Sequence, residues 1–216
     1  MQVSQNLKQV SQNLEDFIKD NIDLVLDIEQ DHDKANKLMS ELEDATGSYG
    51  IDFYYEALNF FKELYGVNEF ISYIDTLPVG FYRRGTFSTI TIPKNIKTIS
   101  SSIVGCNIDK LIIASDDVDI CAYGIRNCNI NTLTFNSNVQ VYKNAIYKCK
   151  IKSWNILNDL TIKSPFQTFR NYIREYKDCE FIVKNSTELI FEDINYSVDL
   201  VTYLEEDVEA TNIKIV

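Results

Sequence analysis

The sequence predicts an α+β protein: a small N-terminal helical bundle, then a short parallel-β solenoid with an inserted helix near the C-terminal end. Three observations predict it. Between about Phe87 and Ile156 the chain repeats every 21 to 22 residues, marked by Cys106, Cys128 and Cys149 and, five residues after each, by the apolar pairs Leu111/Ile113, Leu133/Phe135 and Trp154/Ile156. A fixed period of this length means stacked turns that bury their apolar rungs on one another, because no single turn forms a core alone. Before residue 78 the apolar residues instead recur at three- and four-residue steps, the mark of amphipathic helices. After Ile162 the long period fails, and Pro165-Phe166 opens a stretch that reads as a helix through Tyr176.

The helical part begins with a duplication. Gln2-Val3-Ser4-Gln5-Asn6-Leu7 recurs as Gln9-Val10-Ser11-Gln12-Asn13-Leu14, and apolar residues continue through Phe17, Ile18, Ile22, Leu24, Val25 and Ile28. This predicts one helix of some 25 residues. Two heptads are too few for a coiled coil, yet they permit a homo-oligomer through the N-terminal helices. A second helix is expected after Asp31 or Asp33, carrying Leu38, Met39 and Leu42 and stopping before Gly47-Ser48-Tyr49-Gly50. A third runs from Asp52 to about Tyr65, with Gly66 as its C-terminal cap, and Asn68 is placed to cap a fourth through Ile74. Pro78 and Gly80 end the pattern. Residues 1–78 therefore read as an acidic helical domain suited to cap the first rung, and residues 79–216 as the solenoid.

Within the solenoid, Ile90/Ile92 lies one period ahead of Leu111/Ile113 and starts the series. The turns read Thr89-Ile90-Thr91-Ile92-Pro93-Lys94-Asn95-Ile96-Lys97-Thr98-Ile99 with Ile103-Val104-Gly105-Cys106, then Ile108-Asp109-Lys110-Leu111-Ile112-Ile113 with Tyr123-Gly124-Ile125-Arg126-Asn127-Cys128, then Ile130-Asn131-Thr132-Leu133-Thr134-Phe135 with Ala145-Ile146-Tyr147-Lys148-Cys149. Over residues 86–164 this resembles the BspA-like class of leucine-rich repeat, whose members stack short parallel strands into a curved solenoid. The resemblance implies a binding scaffold, in a family that includes cell-surface proteins and proteins encoded by phages and large viruses. Beyond residue 164 the chain departs from it: Cys179 precedes the strand candidate Phe181-Ile182-Val183 by two residues rather than five. Residues 197–206 read as a closing acidic helix and residues 212–216 as a last edge strand, which needs cover against unwanted strand addition.

Charge is divided along the chain. Residues 1–78 hold 16 Asp/Glu against 5 Lys/Arg, residues 79–184 hold 8 against 15, and residues 185–216 hold 8 against 1, within a net charge of −11. Such asymmetry points to contacts, either between the acidic ends and the basic middle or with partners of opposite charge. No apolar run approaches the roughly 18 residues that a membrane span requires, and the start lacks a secretory signal, so the expected place is the cytoplasm, of the host cell if the protein is viral. Five cysteines with no Cys-x-x-Cys pair read as buried thiols in a reducing compartment, with Cys106, Cys128 and Cys149 in a column about 5 Å apart.

No motif calls for a cofactor or a metal. His32, the single histidine, lies at a helix start with no nucleophile assigned to it, and Asp159 with Glu175 and Lys177 is only a weak match to the spacing of a metal-dependent hydrolase, a third reading. Each strand should instead point one residue outward between two buried ones: Thr91, Ile112, Thr134 and Asn155, followed by Ile182 and Lys214. Lys148, Lys150 and Lys152 alternate along an extended stretch and should face one side, extending a basic stripe with Lys143, Arg126, Lys110, Arg83 and Arg84. Against direct nucleic-acid binding stand the acidic whole and the absence of interleaved aromatics. The expected function is a non-enzymatic protein–protein interaction module, a phage, viral or bacterial protein that binds and modulates a host protein. The alternative is an acidic nucleic-acid mimic that inhibits a defence nuclease or another nucleic-acid-binding protein.

Overall fold

In the computed structural model, residues 12–21, 25, 32–49, 51–115, 117–164 and 172–216 are described. They fall in two compact units, Met1–Asp75 and Thr76–Val216.

In the first unit helix α1 covers residues 12–20; α2 spans His32–Tyr49, α3 Ile51–Tyr65 and α4 Val67–Ser72. Leu38, Met39 and Leu42 on α2 and Phe53, Ala57, Leu58 and Phe61 on α3 are buried, the three- and four-residue stripe that the sequence carries. Phe17 of α1 meets Phe53 edge-on with ring centroids 5.8 Å apart, and Phe61 stacks on Phe70 of α4 at 6.3 Å. Three details differ from expectation. Helix α2 runs through Gly47-Ser48 to Tyr49, since one glycine inside a helix costs only about 1 kcal/mol. Asn68 caps nothing: α4 starts at Val67 with Gly66 at its N-cap and no side-chain bond, and it ends at Ser72 rather than Ile74. Gly66 does end α3 with φ +79°, a conformation that favours glycine. The duplicated heptad lies mostly in residues 1–11, outside the described residues.

The second unit is a parallel-β solenoid with three strands in each regular turn. The first turn holds β1 (Thr76–Leu77), β2 (Tyr82–Arg83) and β3 (Thr86–Ile92), and the second β4 (Thr98–Ile99), β5 (Ile103–Val104) and β6 (Asn107–Ile113). The third holds β7 (Val118–Ile120), β8 (Ile125–Arg126) and β9 (Asn129–Phe135); the fourth β10 (Val139–Tyr142), β11 (Ile146–Tyr147) and β12 (Lys150–Ile156). After them come β13 (Leu160–Lys163), β14 (Glu180–Val183), β15 (Glu188–Phe191), β16 (Tyr196–Asp199) and β17 (Ile213–Ile215). They form a seven-stranded sheet in the order β1-β4-β7-β10-β13-β15-β16, a four-stranded sheet β11-β8-β5-β2 and a six-stranded sheet β17-β14-β12-β9-β6-β3. The expected rungs align: Ile90, Leu111, Leu133, Trp154 and Phe181 share one register column, and Ile92, Ile113, Phe135, Ile156 and Val183 the next. All ten are at most 3% exposed, so the interior is a continuous apolar spine.

The chain turns corners by adopting positive φ at equivalent positions. Arg84, Gly105, Asn127 and Lys148 (φ 49°, 67°, 54° and 50°) lead into the six-stranded sheet, and Gly80, Ser101, Tyr123 and Asn144 (65°, 51°, 61° and 58°) into the four-stranded one. The strain this costs a residue with a Cβ is offset by hydrogen bonding. The N–H groups of Arg84, Gly105 and Asn127 donate to Val104, Arg126 and Tyr147 carbonyls of the following turn, each at 2.9 Å. After each corner into the six-stranded sheet comes a small residue, Gly85, Cys106, Cys128 or Cys149. The three cysteines form the expected column: Cys128 Sγ accepts from Cys106 N–H at 3.4 Å, and the thiols of Cys128 and Cys149 donate to Ile103 and Ile125 carbonyls, both at 3.6 Å. At other corners the buried hydroxyl of Ser102 donates to Leu77 O at 2.6 Å, and those of Ser115 and Ser137 donate to Ile96 O and Ser115 O. Each turn thus satisfies polar groups of its neighbour.

The fifth turn replaces its strand in the four-stranded sheet with a helical segment. Residues 172–173 are helical and continue as a 3₁₀ turn, Arg174–Tyr176, while the expected start of this helix at Pro165-Phe166 lies outside the described residues. Tyr176 donates to Cys149 O at 2.9 Å and meets the Trp154 ring edge-on at 5.2 Å. The closing helix expected over 197–206 is corrected: residues 196–199 are β16, antiparallel to β15. The helix starts only at Leu200, as α5 (Leu200–Tyr203) continued by a wider π-helical turn, Leu204–Val208. Asp199 sets that start by accepting the Thr202 N–H at 2.9 Å. The last strand, β17, pairs parallel with β14.

Removal of one rung side chain should be costly. Leu133→Ala is expected to lose about 2–5 kcal/mol in urea unfolding. Asn127→Gly, at a corner that already needs positive φ, should stay within about 0.5 kcal/mol of the parent.

Candidate interaction site

The outer face of the six-stranded sheet is set by alternation along β3, β6, β9 and β12. With both residues of each rung pair inside, the residue between must face out. Register places Thr91 beside Ile112, Ile112 beside Thr134, Thr134 beside Asn155, Asn155 beside Ile182 and Ile182 beside Lys214. Thr91 and Lys214 are exposed; Ile112, Thr134, Asn155 and Ile182 are half-buried by their neighbours in the column. At ~4.8 Å per rung the column is roughly 24 Å long.

Side chains along this face are tied to one another. Asn155 Nδ2 donates to Thr134 Oγ1 at 3.3 Å, and the Ser153 hydroxyl donates to Glu180 Oε2 at 3.2 Å. Lys214 Nζ reaches Glu180 Oε1 at 2.5 Å, and this bond, with that from Ser153, holds the Glu180 carboxyl below its ordinary range. Nearer the corner are two ladders: Asn129 Nδ2 donates to Asn107 Oδ1, and Asn131 Nδ2 to Asp109 Oδ1, both at 2.8 Å. Lys150 continues the first of these, in register with Asn129. These ladders are absent from the outward residues singled out from the sequence. The signal was there: Asn107, Asn129 and Lys150 each come directly after a ladder cysteine.

The three lysines divide. Lys150 and Lys152 are exposed on β12 either side of buried Ile151 and share the outward face. Lys148 does not join them, because the residue before each ladder cysteine holds a positive-φ corner and the extended stretch begins only at Lys150. Its ammonium lies 5.1 Å from the centroid of the Tyr147 ring. The wider stripe is split likewise: Lys110 is on β6 of the six-stranded sheet, Arg83 and Arg126 are on β2 and β8 of the four-stranded sheet, and Arg84 is at a corner. Tyr123 and Tyr147, a ring pair edge-on at 5.1 Å, stand among the latter group.

Asp159 Oδ1 accepts the Glu188 N–H at 2.8 Å. Among the described residues no three His, Cys, Asp or Glu side chains are grouped to hold a metal ion, and no helix is long and apolar enough to cross a membrane. The His32 side chain lies outside the described residues. In the cysteine column, bonding to Cys128 and burial both push the Cys106 thiol up. For Cys128 the bond from Cys106 lowers it, but the bond to Cys149 and burial prevail, leaving it at about 11. Burial, then the charges of Asp119 and Asp178, raise the half-exposed Cys121 and Cys179.

Compared with protein-family models, curated proteins and solved structures, the chain matches none of them. What is established is therefore architectural: helices, then a parallel-β solenoid with a helix near its C-terminal end.

The thiols give a pH-dependent check. A raised pKa means less thiolate at pH 8 than in a free cysteine peptide, so Cys121 and Cys179 should alkylate more slowly than such a peptide, with rates still rising above pH 9. Cys106, Cys128 and Cys149 should be modified only on unfolding, as read by peptide mass mapping.

Proposed function

We propose that the chain is a non-enzymatic scaffold that binds a protein partner through the outer face of the six-stranded sheet. The observation that carries this reading is the outward column from Thr91 to Lys214, held in register by backbone pairing, with Asn155 donating to Thr134 within it. Such a surface is already ordered, so binding loses little further conformational entropy. Two aliphatic positions, Ile112 and Ile182, sit among threonine, asparagine and lysine, the mixture of apolar contact and polar rim that protein interfaces use. The repeat pattern's likeness to the BspA-like leucine-rich class, together with a composition rich in Asn, Ile, Lys and Tyr, supports a phage, viral or bacterial protein that modulates a host factor from the cytoplasm. The test is capture from host extract. The parent should retain a stoichiometric partner, and Ile112→Arg/Asn155→Arg, with unchanged circular dichroism and Tm, should lose it about tenfold or more. Equal retention by both would place the contact elsewhere.

A second reading is favoured by the helical unit. Asp52, Glu56 and Glu63 are exposed on α3 at four- and seven-residue steps, a stripe of carboxylates along one helix face. In this reading the stripe imitates phosphates and blocks a nucleic-acid-binding protein such as a defence nuclease. Its inhibition should weaken steeply with ionic strength and vanish in Asp52→Lys/Glu56→Lys/Glu63→Lys. Salt-insensitive inhibition retained by that variant would dismiss it.

A further inference from the structure

The outer side of the four-stranded sheet has a chemistry of its own. Its four turns, residues 80–85, 101–106, 122–128 and 143–149, contain Arg83, Arg84, Arg126, Lys143 and Lys148 and not one Asp or Glu. Register stacks Arg83, Val104, Arg126 and Tyr147 in a single outward column. Arg84 and Lys148 occupy the adjoining corner three rungs apart, about 14 Å at the spacing of paired strands. Tyr147 is held between the Tyr123 ring, edge-on at 88°, and the Lys148 ammonium, and Tyr123 itself is 40% exposed. Arg126 Nε is buried with no acceptor among the described residues.

We propose that this face binds an acidic, extended protein segment, its carboxylates meeting Arg84, Arg126 and Lys148 and an apolar side chain covering Tyr123 and Val104. The proposal rests on the reading of the chain as a protein-binding scaffold and names the chemistry of what this second surface takes. Cations along successive turns without a carboxylate among them call for negative charge. Arg and Tyr are also the side chains that dominate binding energy once covered by a partner. A polynucleotide would match the cations, but a long polyanion leaving this short patch meets a solenoid whose last segment, 185–216, carries −7. Screening over about 8 Å in physiological salt confines attraction to the patch, which a short peptide can occupy alone.

Fluorescence anisotropy on the intact chain tests this, using a panel of labelled peptides about 12 residues long in which Asp and Glu alternate with Leu and Phe. Lysine-substituted versions and an oligothymidylate of similar length serve as comparison probes. The acidic peptides should bind more weakly as salt rises and lose about tenfold in affinity with Arg84→Glu/Lys148→Glu, two exposed corner positions. Tyr123→Ala should cost about threefold, and Lys150→Glu/Lys152→Glu, on the other face, should leave binding unchanged. No binding by any acidic peptide, equal binding by the Arg84/Lys148 variant, or tighter binding of oligothymidylate would overturn the proposal. Should it fail while Ile112→Arg/Asn155→Arg still loses the captured partner, the scaffold reading stands and only this surface has been misjudged.

Discussion

Parallel pairing of each turn with the next is the constraint on which the rest of the solenoid depends. A single turn exposes its aliphatic rung, and its corner N–H groups and buried hydroxyls find acceptors on a neighbour. Ser102 reaches back to Leu77 O, Cys149 to Ile125 O, and Asn127 N–H forward to Tyr147 O. Apolar burial and hydrogen-bond satisfaction therefore require the same alignment, so a slipped register would lose both together. This explains the small residue after each corner into the six-stranded sheet. The spine has room there for a thiol or a hydrogen, and a thiol can still donate to a carbonyl in the turn before.

The same alignment determines what the surface presents. Interior rungs at Leu111, Leu133 and Trp154 fix the outward residues beside them, so the rows running from Thr91 and from Asn107 are consequences of the core rather than independent features. The corners then divide the surface by charge. One side carries amides, hydroxyls and two aliphatic side chains with a Glu180–Lys214 pair; the next carries arginine, lysine and tyrosine without carboxylates. A small protein thereby offers two surfaces of different character on one rigid frame.

Much of this was legible in the sequence because stacking imposes a strict period. The cysteine column, the rung columns as far as Trp154 and Ile156 and the outward series as far as Asn155 come from counting alone, and the strand at residues 213–215 from its apolar alternation. What resisted reading is local geometry that stacking dictates against intrinsic preference. Lys148 looks extended between Tyr147 and Cys149, yet it occupies a corner whose left-handed conformation is hinted at only by Gly105 and Asn127 in equivalent turns. Residues 196–199 look like the start of an acidic helix, yet Tyr196 and Val198 pair with Phe191 and Leu189 before Asp199 caps the short helix that begins at Leu200. The two tyrosines were hidden for another reason. Tyr123 and Tyr147 are 24 residues apart, a separation that is not a whole period, and meet because Tyr123 sits at the corner before β8 while Tyr147 is the last residue of β11 in the next turn.

The equivalence of the corners has a consequence for how such a chain can change length. Gly105 and Asn127 share a backbone state and each precedes a ladder cysteine, so excising the intervening block would join Gly105 to Cys128 with the same bend. Duplicating it would add one storey in the same way. The middle of the molecule is thus a set of interchangeable modules. The final turns are not: a helical segment replaces one strand and the reversal at β16 closes one sheet. Growth or shrinkage by recombination is open only upstream of them.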